Sequence, residues 1–148
     1  MLDSYRDLID GLLATPSALR LALGDPVPES VSPAVLQLLV ELRARELVML
    51  RRARSIMRAE SAALRDVMDE PELKAAHAGE ATEATPEELI AGFNTDRSEL
   101  VSLLMNVTIR EWERPVDHHV NGETTLAEEI DDHLTWDEDV IARIRAAA

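Results

Sequence analysis

The chain has 148 residues and no cysteine, and its 29 acidic and 15 basic side chains leave a net charge of −14. This length suits one domain spanning residues 1–148, and the lack of cysteine excludes disulfides, thiolate metal sites and a cysteine nucleophile. Because so acidic a chain repels phosphate backbones, we expect no nucleic-acid partner.

The sequence also predicts a cytoplasmic protein. Asp3, Arg6, Asp7 and Asp10 interrupt the first ten residues, so we expect no secretory signal. No stretch approaches the roughly 18 unbroken apolar residues of a membrane span, so we expect no membrane partner.

Helix dominates the predicted elements, because alanine and leucine are abundant whereas aromatic and glycine residues are few. The first helix is predicted over residues 2–14. Thr15 and Pro16 end it and restart a short helix, since threonine is a good N-cap and proline is tolerated at the first helical position. A loop rich in proline and acidic residues follows over 24–32.

The second helix is predicted to be the longest, beginning at Ser32 and Pro33 and continuing past Arg58. Its early turns are apolar on all sides, which is consistent with a dimer face as well as a core. Its arginines are predicted to lie on a solvated or partner-facing side. They are Arg43, Arg45, Arg51, Arg52, Arg54 and Arg58.

Two helix-start signals define the remaining long helices. Thr85, followed by Pro86 and by Glu88 at the third position after the cap, predicts a third helix that runs to about Asn106. Thr125 and Glu128 predict a last helix over 125–147 in the same way. The segment 68–85 before the third helix is predicted as a loop with room for one helical turn at 72–77.

The connection between the third and last helices contains a tryptophan, Trp112, and two adjacent histidines. Trp112 is predicted to be a core residue that closes one end of the fold. His118 and His119 are predicted to be solvent-exposed loop residues within 116–120, a segment that could form a short extended stretch. The elements together predict an all-α fold, most economically a compact four-helix bundle.

The last helix carries two ionisable residues, His133 and Asp137, on its apolar stripe. At 100° per residue they share one face with apolar residues at positions 126, 130, 141 and 144. Burying them without partners would cost several kcal/mol, so we expect them to pair with each other, to bond to another helix, or to bind a metal.

Glu41 on the second helix is a candidate third member of this site. It lies in line with apolar residues at positions 34, 38, 44 and 48. If that line faces the interior, Glu41, His133 and Asp137 converge from two helices, which is how helical bundles commonly build metal sites. The alternative is an exposed Glu41 and a structural pair of His133 with Asp137.

Several segments resemble the DinB-like superfamily. They are the Trp-Glu-Arg turn at 112–114, the Gly-Glu-Thr-Thr-Leu at 122–126, the Asp-Val-Ile-Ala-Arg-Ile-Arg-Ala at 139–146 and the order of the helices. The resemblance covers nearly the whole chain and implies a four-helix bundle, often dimeric. Such proteins usually hold a divalent metal through one histidine on the second helix and two on the last, and some transfer low-molecular-weight thiols such as bacillithiol or mycothiol.

The resemblance also implies that the three-histidine set is not intact in this chain. Glu41 stands at the histidine position of the second helix, and Glu46 matches the family's usual glutamate. Matching both ends of the last helix without gaps puts Asp132 and Trp136 at the two remaining ligand positions. A shift by one residue puts His133 and Asp137 there instead.

Two functions are consistent with these residues. In the first, Glu41, His133 and Asp137, with Asp132 as a substitute, hold a divalent ion of a metal-dependent enzyme, such as a thiol S-transferase. Carboxylate-rich donors would favour Mn, Fe, Mg or Ni over structural Zn. In the second, which we favour, the protein is a metal-free, homodimeric binding or interaction module that takes a small molecule or a partner.

Overall fold

The computed structural model describes residues 2–58, 64–79, 83–120 and 122–147, and it confirms the predicted all-α class. Its helices are α1 (Leu2–Leu23), α2 (Pro33–Met57), α3 (Pro71–His77), α4 (Pro86–Leu104), α5 (Ile109–Glu113) and α6 (Leu126–Ala147). The long helices pack most extensively as the pairs α2 with α4 and α1 with α6, and α2 also packs on α6.

Two of the predicted starts are confirmed by their caps. Thr85 Oγ1 accepts a hydrogen bond from the Glu88 backbone N–H at 3.1 Å, in a reciprocal capping box that begins α4. Thr125 Oγ1 likewise accepts from the Glu128 N–H at 3.2 Å before α6. Both caps satisfy backbone donors that have no partner within the first turn of a helix.

The prediction that the first helix ends at Ala14 is wrong, because α1 continues through Pro16 to Leu23. Proline has no N–H, so Pro16 cannot donate to the carbonyl of Leu12 four residues earlier. Arg97 on α4 supplies that hydrogen bond instead, from Nη1 to the Leu12 oxygen at 3.0 Å. A donor from another helix thus lets α1 run on past its proline.

The connections hold more structure than the sequence predicts. A 3-10 turn over Val67–Asp69 leads into α3, which confirms the helical turn expected at 72–77 and begins one residue earlier. Helix α5 begins at a capping box formed by Thr108 and Glu111. Part of the predicted loop, 80–82, lies outside the described residues.

The segment expected to be extended forms a small hairpin. Strand β1 (Val116–His118) pairs antiparallel with β2 (Gly122–Thr124). Next to β1, the backbone N–H of Leu64 donates a hydrogen bond to the backbone carbonyl of Asp117 at 2.9 Å. The prediction of an exposed His118 is wrong, since its side chain is buried and its Nδ1 accepts from the Val120 N–H at 3.1 Å. His119 is exposed as predicted.

Two apolar clusters form the core. The first contains Leu12, Met49, Leu100, Ile130 and Trp112, and the second contains Leu19, Leu42, Phe93, Val140 and Ile144. Trp112 is buried and stacks on Tyr5 with ring centroids 5.1 Å apart, which confirms its predicted anchoring role.

The clusters also show the direction of each long helix. Along the chain, α1 and α6 pass from the first cluster to the second, whereas α2 and α4 pass from the second to the first. These two pairs of helices therefore run in opposite directions. None of the helices in the described part of the chain is long and apolar enough to cross a membrane.

Candidate functional site

A layer of buried polar side chains lies between the two apolar clusters, and all four long helices contribute to it. We call it the polar layer. Its members are Thr15 on α1, Arg45 and Glu46 on α2, Arg97 on α4, and His133 and Asp137 on α6. Glu46 and His133 are 0 % exposed, Asp137 is 1 % exposed and Arg97 is 2 % exposed. Charged groups this deeply buried require mutual pairing.

Arg97 joins three helices to α4. Its Nε and Nη2 donate to the two carboxylate oxygens of Glu46, both at 2.7 Å, in a bidentate pair. Nη2 also donates to Asp137 Oδ2 at 2.7 Å, and Nη1 donates to the Leu12 carbonyl of α1. The planar guanidinium has its donors fixed in the directions that such a bidentate pair requires.

His133 is held between two residues of α2. Arg45 Nε donates to its Nδ1 at 3.1 Å, and arginine has no acceptor, so Nδ1 must be the unprotonated nitrogen. The imidazole proton then lies on Nε2, which donates to Glu46 Oε1 at 2.7 Å. Both ring nitrogens are therefore engaged by the protein.

Arg45 is buried, and one face of its guanidinium lies against an aromatic ring. Its guanidinium carbon lies 4.7 Å from the centroid of the partly buried Trp136 ring, within the range of a cation–π contact. Burial lowers the pKa of Arg45, and Asp137 opposes this effect by its negative charge.

The carboxylate of Glu46 is held in its charged form. Burial acts to raise its pKa, but the hydrogen bonds that His133 and Arg97 donate and the positive charge of Arg97 lower it to about 2. Burial likewise acts to lower the pKa of Arg97, and its bonds and charge contacts with Glu46 and Asp137 raise it overall. The two groups thus stabilise each other as an ion pair.

The predicted site residues do not all meet. His133 and Asp137 face the interior, as their stripe predicts, but their hydrogen bonds go to other helices. Glu41 turns toward α3, where its Oε1 lies 2.7 Å from Nδ1 of His77. Asp132 is exposed, and its pKa is raised by partial burial and by the nearby charges of Glu129 and its neighbours.

The arginines of α2 are divided between the surface and the interior. The prediction of a solvated side is wrong for Arg45 and for Arg52, which is 3 % exposed. Arg52 donates to Glu129 Oε1 at 3.0 Å and to the Arg65 carbonyl at 2.8 Å. Arg51, Arg54 and Arg58 are exposed as predicted.

Helical periodicity also marks the two residues at the centre of the polar layer, Glu46 and Arg97, although neither was predicted to be buried at the site. Glu46 lies on the stripe formed by positions 39, 42, 49, 53 and 56 of α2. Arg97 lies on the stripe formed by positions 90, 93, 100 and 104 of α4. A search of every helix for charged residues at core spacing would have identified both.

Within 2–58, 64–79, 83–120 and 122–147, no three histidine, aspartate or glutamate side chains are grouped in a way that could hold a metal ion. Comparison of the chain with models of known protein families, with curated proteins and with solved structures finds no match. The chemistry of the polar layer therefore has to be argued from its own geometry.

Proposed function

We propose that this protein is a DinB-like four-helix bundle that functions without a metal, as a homodimeric, non-catalytic binding or interaction module. The observation that carries the proposal is the position of Arg97. Its guanidinium bonds to Glu46 and to Asp137 and so supplies positive charge to the carboxylates of the layer. A resident cation of the protein thus does what a divalent ion would do in a metal-binding bundle.

The state of the donor atoms supports this proposal. A metal needs deprotonated ligands with free lone pairs, but both oxygens of Glu46, one oxygen of Asp137 and both nitrogens of His133 already have partners. A divalent ion entering the layer would break these buried hydrogen bonds and would lie beside a guanidinium. Each broken charged hydrogen bond costs about 1.5–3 kcal/mol.

The path of the chain supports the assignment to a DinB-like bundle. α1 and α6 run in one direction and α2 and α4 in the other, so a long connection must separate α2 from α4. This arrangement is one of the recognised ways of linking four packed helices by crossover connections. The segments 112–114 and 122–126 resemble the DinB-like superfamily, and this resemblance is the basis for proposing that family.

Metal analysis of untagged protein tests the proposal. After incubation with Ni²⁺, Zn²⁺, Mn²⁺ or Fe²⁺ and desalting, we expect less than about 0.1 equivalent of any ion, because the layer's donors are occupied. The variants Glu41→Ala and His133→Ala should leave this low content unchanged. The measurement is plasma mass spectrometry of the protein and of its buffer.

The opposite result would favour the alternative function. An ion bound at about one equivalent and lost in both variants would overturn the proposal in favour of a divalent-metal-dependent enzyme, such as a low-molecular-weight thiol S-transferase. In that case Glu41 would have to turn away from His77 to reach the ion. An ion retained in both variants would overturn the metal-free proposal and also the predicted ligand set.

A further inference from the structure

A groove of about 410 Å³ lies between α1 and α6, on the side of the polar layer where Thr15 and Asp137 are found. Its walls are largely apolar and include Leu8, Leu134 and Ile141. Its described lining also contains four carboxylates and no lysine, arginine or histidine. The groove thus combines an apolar interior with negative charge.

Asp137, which lines this groove, has one carboxylate oxygen without a hydrogen-bond partner in the described part of the chain. Oδ2 accepts from Arg97 at 2.7 Å and lies 3.4 Å from Thr15 Oγ1. Oδ1 is buried and has no hydrogen-bond partner among the residues that the structure describes. Leaving a buried acceptor unpaired costs about 1–3 kcal/mol, and more when the group is charged. Because Asp137 also lines the groove, a donor that enters the groove and reaches this oxygen would remove that cost.

We propose that the groove binds a small organic ammonium compound whose nitrogen donates to Asp137 Oδ1 and whose apolar body packs between α1 and α6. The inference rests on the proposed binding function and names the ligand class that this function leaves open. It also gives a role to Oδ1 of Asp137, because only Oδ2 takes part in the hydrogen bonds of the polar layer.

The charges around the groove select a cation over a neutral or anionic ligand. Asp7, Asp131 and Glu138 also line it, and all three are exposed at its rim. Arg97 is already bonded to Glu46 and Asp137 inside the layer, so it does not neutralise the rim. An ammonium group gains attraction from the rim and a charged hydrogen bond at Asp137, whereas a carboxylate would be repelled.

Three matched compounds test the ligand class. Phenethylammonium, 2-phenylethanol and 3-phenylpropanoate share a phenyl ring and a short chain but carry a positive, a neutral and a negative head. By isothermal titration calorimetry at low ionic strength, we expect phenethylammonium to bind at least about tenfold more tightly than the alcohol, and the carboxylate not to bind. Equal binding of all three would overturn the proposal.

Two variants test the location. Asp137→Asn keeps the acceptor for Arg97 but turns an N–H₂ donor toward the ammonium, so binding should weaken at least about tenfold. Ala14→Trp fills the groove from an exposed position outside the polar layer and should abolish binding even if Asp137→Asn folds poorly. Asp139→Asn is the control, because it removes an exposed carboxylate of α6 that does not line the groove and should leave binding unchanged.

The two proposals fail in different ways. If the protein is metal-free but does not bind phenethylammonium, the groove assignment is overturned and the proposed function is not. Binding that survives Ala14→Trp does the same, because the ligand must then lie elsewhere. Stoichiometric metal in the same sample overturns the proposed function, whatever the amine does.

Discussion

Arg97 shows how one side chain can organise a buried polar layer. Its donors reach Glu46, Asp137 and the Leu12 carbonyl, and its guanidinium carbon also lies 4.8 Å from the centroid of the Phe93 ring. A lysine could not copy this pattern, because an ammonium is a compact point charge without a planar fork of donors. The layer therefore depends on the shape of arginine as well as on its charge.

The depressed pKa of Glu46 predicts a specific loss of stability in acid. Its ordinary value is 4.5 and its value in the folded protein is about 2, so the folded state binds this proton less readily than the unfolded chain does. The stabilisation is therefore fully present above pH 4.5 and is lost as the pH falls toward 2. The difference corresponds to about 3 kcal/mol of the free energy of unfolding, measured by urea denaturation across this pH range.

Two variants isolate the contribution of Glu46 from that of the other carboxylates. Glu46→Gln should make the free energy of unfolding less dependent on pH between 4.5 and 2, whereas Glu123→Gln, at an exposed position of β2, should follow the wild-type curve. A direct NMR titration of the Glu46 carboxyl in the wild-type protein gives the pKa itself. A value near 4.5 would contradict the prediction.

The sequence could place His133 and Asp137 in the interior but could not identify their partners. Periodicity assigns a residue to a face of its own helix, and this was sufficient for the stripe of α6. It does not say which residue of another helix lies opposite. Glu41 is a candidate because its line of neighbours is apolar, yet its carboxylate meets His77 of α3 instead.

At the scale of the helix, α1 shows how a tertiary contact can override a local rule. Proline usually breaks a helix because it removes one hydrogen bond and crowds the carbonyl four residues before it. Here that carbonyl, of Leu12, faces Arg97 and accepts its Nη1 donor. The helix starts were predictable because Thr85 and Thr125 act on their own first turns, whereas continuation past Pro16 depends on α4.

A double-mutant cycle tests this explanation. Pro16→Ala restores a backbone donor for the Leu12 carbonyl, so replacing Arg97 by lysine should then cost less than it does in the wild type. We expect the cost of Arg97→Lys to be about 1 kcal/mol smaller in the Pro16→Ala background than in the wild type. This is the contribution of one hydrogen bond, because the Leu12 carbonyl then keeps a backbone donor. The measurement is the free energy of urea unfolding for the wild type, Pro16→Ala, Arg97→Lys and the double variant.

Pro33→Ala is the matched control for this cycle. Pro33 is the first residue of α2, so its missing N–H leaves no carbonyl of the helix unpaired. The change in unfolding free energy caused by Pro33→Ala should therefore add to that caused by Arg97→Lys, with no coupling energy between them. Additive effects for Pro16→Ala as well would show that the Leu12 bond does not support α1.

At the scale of the whole molecule, one groove is bordered by exposed apolar side chains that the fold does not cover. Leu13, Met105 and Ile109 line a groove of about 400 Å³ beside Tyr5 and Trp112, where α1 meets the end of α4. Leu13 is 54 % exposed and Met105 is 67 % exposed. By contrast, the early turns of α2, which the sequence makes consistent with a dimer face as well as a core, pack Leu36, Leu38 and Val40 against the second apolar cluster.

If the proposed homodimer forms through this groove, both subunits contribute the same surface to the contact, as two-fold symmetry requires. Light scattering should give twice the 16.4 kDa of one chain for the wild type, and Met105→Glu should reduce the mass to one chain by placing a charge in a desolvated contact. Leu21→Glu is the matched control, because Leu21 is 82 % exposed but does not line the groove, and it should leave the dimer intact. A monomeric wild type would contradict the dimer, and dissociation by Leu21→Glu alone would move the interface to the other end of α1.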